Sequence, residues 1–199
     1  MKQKRVTGKF GYKLWLILGD TIFRKYYRQC VSSLNLQGNE KVMDFGCGPG
    51  LVSKHFAENL PCGSLTCFEV SEAAIDLAKK RLKAYQNVEY ILGDIREAQC
   101  LAASYDVVFL NFVYYHIEKY QRVDVMAKLA KLLRDNGILV IRNAVSKHGG
   151  MSQEEIKREL KQVSFREVSS EMVKSLFIIS TYVGCFSKLA NRPDAGDGK

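Results

Sequence analysis

The chain has 199 residues, 47% hydrophobic and 26% charged, with a formal net charge of +9. That length suits one domain with a full core, and the composition is that of an ordinary folded protein. No apolar run reaches the ~20 residues that a membrane span needs.

The basic start is followed by LWLIL but by no small-residue cleavage site, so no signal peptide is read. Six cysteines (Cys30, Cys47, Cys62, Cys67, Cys100, Cys185) form no CxxC pair and no Cys/His cluster with metal spacing. They read as reduced thiols in a cytoplasmic protein without a zinc site. Residues 1–31 hold eight Lys/Arg (Lys2, Lys4, Arg5, Lys9, Lys13, Arg24, Lys25, Arg28) against Asp20 alone, which is seven of the nine net charges. Such an arm suits nucleic acid, an anionic membrane or an acidic substrate, and equally a solvated helix face.

In chain order, residues 8–35 predict a helical extension with an apolar stripe of Trp15, Leu18, Ile22 and Tyr26. Lys41–Phe45 predicts the first strand and 49–60 a helix. Ser64–Glu69 is the second strand, after which Ser71 is expected to cap a helix running to about residue 83. Residues 87–92 and 105–110 make the third and fourth strands. Residues 120–134 repeat apolar side chains at Val123, Met126, Leu129 and Leu133, with Gly137 expected to end that helix. Residues 137–145 form the fifth strand, and Ser152-Gln-Glu-Glu155 is a capping box opening a helix with Ile156, Leu160 and Val163 on one face. Two last strands, about 165–172 and 176–183, are expected as an antiparallel pair. Strands alternating with helices argue for a parallel sheet covered on both faces. The expected division is a basic extension over 1–37, a domain over 38–186 and a flexible tail over 187–199.

The chemistry concentrates at VMDFGCGPG, residues 42–50, where a strand breaks into a loop with glycines at 46, 48 and 50. In an open α/β sheet this first strand-to-helix loop meets ligands. Glycines let bare backbone approach, and the helix N-terminus behind adds partial positive charge. A phosphate loop fails for want of a Lys-Ser/Thr pair, and the dinucleotide fingerprint is spoiled by Leu51 where a small residue belongs. S-adenosylmethionine is a third reading, beside a dinucleotide that Leu51 counts against without excluding.

Asp44-Phe-Gly46-Cys-Gly48-Pro-Gly50, Glu69 in CFEVS and Asp94 in YILGDI together resemble the class I (Rossmann-like) S-adenosylmethionine-dependent methyltransferases over about residues 38–186. The resemblance implies a seven-stranded, mostly parallel sheet in the order 3-2-1-4-5-7-6. It implies that Glu69, 25 residues after Asp44, accepts the ribose hydroxyls by charge-assisted bonds. Asp94 and the Ile95 N–H would meet adenine, with Asp94 also able to cap a following turn. Asp44 would orient the loop and reach the methionine amino group. Gly46 and Gly48 would give room for the methionine portion and Gly50 would admit close helix packing. Cys47 would present its backbone, and Val70 and Ile91 would wall adenine or simply pack the core. S-adenosylmethionine is the implied cofactor, with no metal.

Methyl transfer from a sulfonium needs alignment above all, with a base only where the acceptor must lose a proton early. The resemblance places Asn111 at the methionine portion and acceptor pocket. His116 is the candidate base, and Phe112, Tyr114 and Tyr115 are candidate acceptor contacts or core. His148 faces the same side, and His55 reads as structural. Asn111-Phe-Val-Tyr114 lacks both prolines of the Asn-Pro-Pro-Tyr motif, so an amino-group specificity is not read from it. The first functional reading is a methyltransferase for a small or medium-sized acceptor, with Trp15, Tyr26 and Tyr27 of the extension facing that acceptor as a lid. The second has RNA or an anionic lipid held by the basic arm. The third is a non-catalytic S-adenosylmethionine-binding partner protein.

Overall fold

The computed structural model describes residues 21, 23–98, 103–145, 150–174 and 180–189. Its elements run α1 (Arg24–Ser32), β1 (Lys41–Phe45), α2 (Leu51–Asn59), β2 (Ser64–Glu69), α3 (Glu72–Arg81), β3 (Val88–Leu92) and β4 (Tyr105–Asn111). A short 3₁₀ turn (Tyr114–His116) leads to α4 (Lys119–Leu132), β5 (Leu133–Ala144), α5 (Gln153–Gln162), β6 (Phe165–Lys174) and β7 (Ser180–Lys188). The seven strands form one sheet in the order β3-β2-β1-β4-β5-β7-β6. The first five are parallel, and β7 runs antiparallel to both β5 and β6. This is the order that the family resemblance implied.

Central strands here are apolar on successive residues because each face is covered. Met43, Phe45, Phe68, Val108, Leu110 and Ile141 point into one core, closed by Met126, Leu129, Ile156 and Leu160 of α4 and α5. Val42, Cys67, Val107, Phe109 and Val140 point into the other, closed by Tyr27, Phe56, Ile75 and Ala78 of α1 to α3. The parallel strands therefore end together at one edge of a rigid, doubly covered slab.

Several boundaries moved. The helix expected over 120–134 ends at Leu132, and its buried stripe is Arg122, Val125, Met126, Leu129 and Leu132, while Val123 is exposed. Leu133 leaves the helix because it pairs beside Tyr105, with regular register resuming only at Val107↔Ile138. The intervening residues bulge outward, so Gly137 opens the regular strand rather than stopping the helix. α2 starts at Leu51, with Gly50 as its left-handed N-cap, rather than at residue 49. Ser71 precedes α3 but its hydroxyl makes no capping bond; its carbonyl accepts the Ala74 N–H at 3.1 Å, and its own N–H goes to Glu69 Oε1 at 2.9 Å. Ser152 does cap α5, accepting from the Glu155 N–H at 3.1 Å. β7 runs Ser180–Lys188, past the end expected for the last strand at 183 and past the expected domain boundary at 186. Trp15, Leu18, Ile22, the basic residues 2–13, His148 and the tail from 190 on lie outside the described residues. Among the described residues no helix is long and apolar enough to cross a membrane.

Candidate cofactor and acceptor site

Asp44, Glu69, Leu92 and Asn111 stand at or beside the carboxyl ends of four neighbouring parallel strands. Glu69 organises the first two. Its Oε2 accepts the Gly48 N–H at 2.9 Å, and its Oε1 accepts the N–H groups of Val70 at 2.8 Å and Ser71 at 2.9 Å. A carboxylate offers about four acceptor positions, so three backbone donors set its orientation and leave one free.

The glycine loop differs from the bare-backbone picture. The N–H groups of Gly46 and Cys47 both donate to the Phe68 carbonyl, at 2.8 and 3.1 Å, and that of Gly50 donates to the Cys47 carbonyl at 3.1 Å. With Gly48 on Glu69, every N–H of the loop is engaged within the protein, since Pro49 has none. Cys47 thus presents neither its N–H nor its thiol, which is buried against Gly48 and held above its ordinary pKa by Cys67 and by burial. What the loop supplies is space and a shaped wall.

That space sits at Gly48 alone. A Cβ on Gly48, whose φ is +54°, would have nothing within 4 Å. One on Gly46 would fall 2.5 and 2.8 Å from the two Val113 methyls, so the room expected there for a ligand is filled by the loop after β4. A Cβ on Gly50 would lie 3.3 Å from the Ala78 Cα of α3, as expected of a close helix contact.

Asp44 is 2% exposed and accepts the Ser53 hydroxyl at Oδ2 over 2.6 Å. Burial pushes its carboxyl up to about 7; Ser53 opposes that rise and the charge of Glu69 adds to it. Asp94 accepts the backbone N–H of Arg96 at 2.9 Å and a forked contact from its guanidinium, which holds the carboxyl below its ordinary range. Its carbonyl accepts from Glu97 and Ala98, so it caps a turn, as one of its two expected roles required. The Ile95 side chain is in the core. Val70 and Leu92 are instead large exposed apolar groups, at 52% and 49%, flanking Glu69 in sequence and across the β2–β3 pair. Ile91, the other expected wall, packs against the core.

After Asn111 the chain turns sharply, with Phe112 in the left-handed region at φ +57°, a strained placement typical of functional loops. The Asn111 Oδ1 is buried without a hydrogen-bond partner. In the 3₁₀ turn, the Tyr115 and His116 rings lie 4.1 Å apart between centroids. Partial burial lowers the His116 pKa, so the ring is neutral at pH 7 and able to accept a proton. Tyr114 is fully buried. Its hydroxyl donates to Glu159 at 2.7 Å, and Arg122 meets the same carboxylate at 3.4 Å and donates to the Ile117 carbonyl at 2.9 Å. This brace ties the turn to α4 and α5. His55 is buried on α2 with Nδ1 3.1 Å from Glu58. Tyr27, expected to face an acceptor, is instead core, while Tyr26 receives a hydrogen bond from Arg142 at 2.8 Å. Among the described residues no three His, Cys, Asp or Glu side chains converge as metal ligands would.

Sheet order, glycine loop and strand-end carboxylate define a Rossmann-like domain of the methyltransferase type. Residues 42–137 match the family model described as a methyltransferase domain, and that match together with the fold supports a class I S-adenosylmethionine-dependent methyltransferase. It is 28% identical over 102 residues to the malonyl-[acyl-carrier protein] O-methyltransferase of Halalkalibacterium halodurans, covering 50% of this chain and 37% of that one. It is 35% identical over 126 residues to the protein-L-isoaspartate O-methyltransferase of Dictyoglomus thermophilum, covering 62% and 53%. The chain thus spans about half or less of the length of these curated relatives. The solved N-methyltransferase NodS from Bradyrhizobium japonicum, in complex with S-adenosyl-l-homocysteine, superposes with a TM-score of 0.72 at 21% identity, over 83% of this chain and 86% of that one. That last likeness is one of fold.

Ser53, Leu92, Val113 and Arg142 were missed in the sequence. Leu92 carried a signal, as an apolar residue directly before Gly93-Asp94 at a strand end. The other three join the site only through tertiary pairing.

Proposed function

We propose that this chain transfers the methyl group of S-adenosylmethionine to a small or medium-sized acceptor by direct displacement. The observation that carries the reading is Glu69, oriented by three backbone N–H groups beside the open space at Gly48. A nucleoside with free ribose hydroxyls suits that carboxylate, and the aliphatic linker to a sulfonium suits an unfilled glycine surface. When bound, S-adenosylmethionine supplies an activated methyl group on sulfur.

The chain's own residues bind and orient. Glu69 accepts a ribose hydroxyl at its free position, and a second once the Gly48 N–H yields. Val70 and Leu92 enclose the adenine, with Asp94 and the Ile95 N–H at its edge. Asp44 and the unpartnered Asn111 Oδ1 serve the methionine ammonium, and ionising Asp44 beside a cation offsets its burial. Val113 in place of a Gly46 side chain holds the β4 loop against the glycine loop, which aligns the acceptor with the sulfur axis. His116 accepts a proton from acceptors that must lose one, and Tyr115 packs beside it. The five described cysteines, all free thiols, support a cytoplasmic setting.

Calorimetry with S-adenosylhomocysteine, followed by a methyl-release assay over a panel of amine, hydroxyl and carboxyl acceptors, tests the reading. Binding of the nucleoside with release dependent on one acceptor class is expected. No binding of S-adenosylhomocysteine or S-adenosylmethionine would overturn it.

A further inference from the structure

Among the described residues two arginines are buried, and they are treated differently. Arg122, 9% exposed, meets Glu159 at 3.4 Å and Glu155 at 3.5 Å. Arg142, 4% exposed, has no carboxylate within ion-pairing distance among the described residues. Its Nη2 donates to the Tyr26 hydroxyl at 2.8 Å and its guanidinium carbon lies 5.0 Å from the centre of that ring. Both contacts are to a phenol. Its Nε is buried with no acceptor among the described residues. An unneutralised cation at this depth costs several kcal/mol, and such groups ordinarily shed charge or find an anion; a guanidinium cannot shed its proton.

Placement gives the cation a purpose. Arg142 is the Cα partner of Asn111 across the β4–β5 pair, so both side chains leave the same face near the carboxyl ends of the strands. Two positions on, Ala144 pairs with Thr181, whose buried Oγ1 also lacks a partner. One face of this end therefore carries, side by side, an idle Nε–H, an idle hydroxyl and an idle amide oxygen. An Nε–H beside further guanidinium hydrogens matches the two oxygens of a carboxylate, and a threonine hydroxyl adds a third donor.

We propose that Arg142, with Thr181, is a carboxylate-binding subsite for the methyl acceptor. The cofactor's own carboxylate is the other possible bearer. The strand order favours the acceptor, since Arg142 lies two strands beyond β1, roughly 10 Å across the sheet from Asp44; because Asn111 of β4 is its neighbour, the S-adenosylhomocysteine arm of the test below decides between the two bearers. The inference rests on the methyl-transfer reading only in calling that bearer the acceptor.

The test measures binding of benzoate and of its neutral counterpart benzamide at fixed ionic strength, by calorimetry and melting temperature, with and without saturating S-adenosylhomocysteine. Benzoate is expected to bind and benzamide not. Arg142→Met is expected to weaken benzoate at least tenfold, Arg142→Lys to retain part of the response, and Tyr26→Phe to retain it fully. The affinity for S-adenosylhomocysteine should change less than threefold in all three. Equal behaviour of benzoate and benzamide, or unchanged benzoate binding in both Arg142 variants, overturns the subsite. So does a tenfold loss of S-adenosylhomocysteine affinity in Arg142→Lys with benzoate competing for it, since the carboxylate would then be the cofactor's. The readout needs no turnover, so failure of methyl transfer with every acceptor would sink the preceding proposal and leave a benzoate result standing.

Discussion

Asp44→Asn removes a charge that the fold holds unwillingly. The carboxyl is 2% exposed, has one short hydrogen bond from Ser53 and is pushed up to about 7, against an ordinary value of 3.8. A carboxyl raised in the folded state binds more protons folded than unfolded between those two values. Its contribution to stability is therefore lost as pH rises through that window. Between pH 5 and pH 8 the loss comes to about 2.5 kcal/mol, at ~1.36 kcal/mol per pH unit over the part of the window crossed. Asparagine keeps an oxygen for the Ser53 hydroxyl and carries no charge. Urea denaturation of both proteins at the two pH values, followed by circular dichroism, isolates the effect, because all other titrating groups are common to both. With a urea slope of ~2 kcal/mol/M, the variant should gain roughly 1 M in midpoint over the wild type on going from pH 5 to pH 8. A difference between the proteins that is constant in pH, or that moves toward the wild type at pH 8, refutes the reasoning.

Gly46→Ala drives a Cβ into Val113 at a positive φ and should cost about 2–4 kcal/mol in thermal denaturation, part of it recovered by adding Val113→Ala. Glu69→Ala strips three backbone donors of their acceptor; S-adenosylhomocysteine affinity measured by calorimetry should fall at least tenfold. Tyr114→Phe leaves Glu159 with one buried bond fewer, for an expected loss of about 1–3 kcal/mol by denaturation. If His116 takes the acceptor's proton, kcat/KM falls as pH drops below a histidine pKa that burial holds under 6.5. A pH profile of His116→Asn should then lose that acid limb.

The positions of most strands were legible because they are written locally, while their order in the sheet came with the family resemblance. Asp44, the three glycines and Glu69 each stand at a strand end that a run of apolar residues announces. The contacts that finish the site are not local. Val113 fills the room at Gly46 across 67 positions, and Arg142 reaches Tyr26 across 116. The Phe68 carbonyl takes two loop N–H groups that the glycine pattern alone left open to a ligand. The misplaced end of α4 has the same origin: Leu133 continues a helical apolar period, yet tertiary pairing with Tyr105 claims it for the sheet.

The position of β7 bears on how the chain comes to be folded during synthesis. β7 lies between β5 and β6 and supplies hydrogen bonds to both. Until Ser180–Lys188 leaves the ribosome, β5 has a bare flank and β6 has no neighbour. That flank carries Leu139, Val140 and Ile141, a short β-forming stretch of the kind that recruits foreign strands. A nascent chain halted between residues 174 and 180 should therefore be far more prone to aggregate than one released a few seconds later.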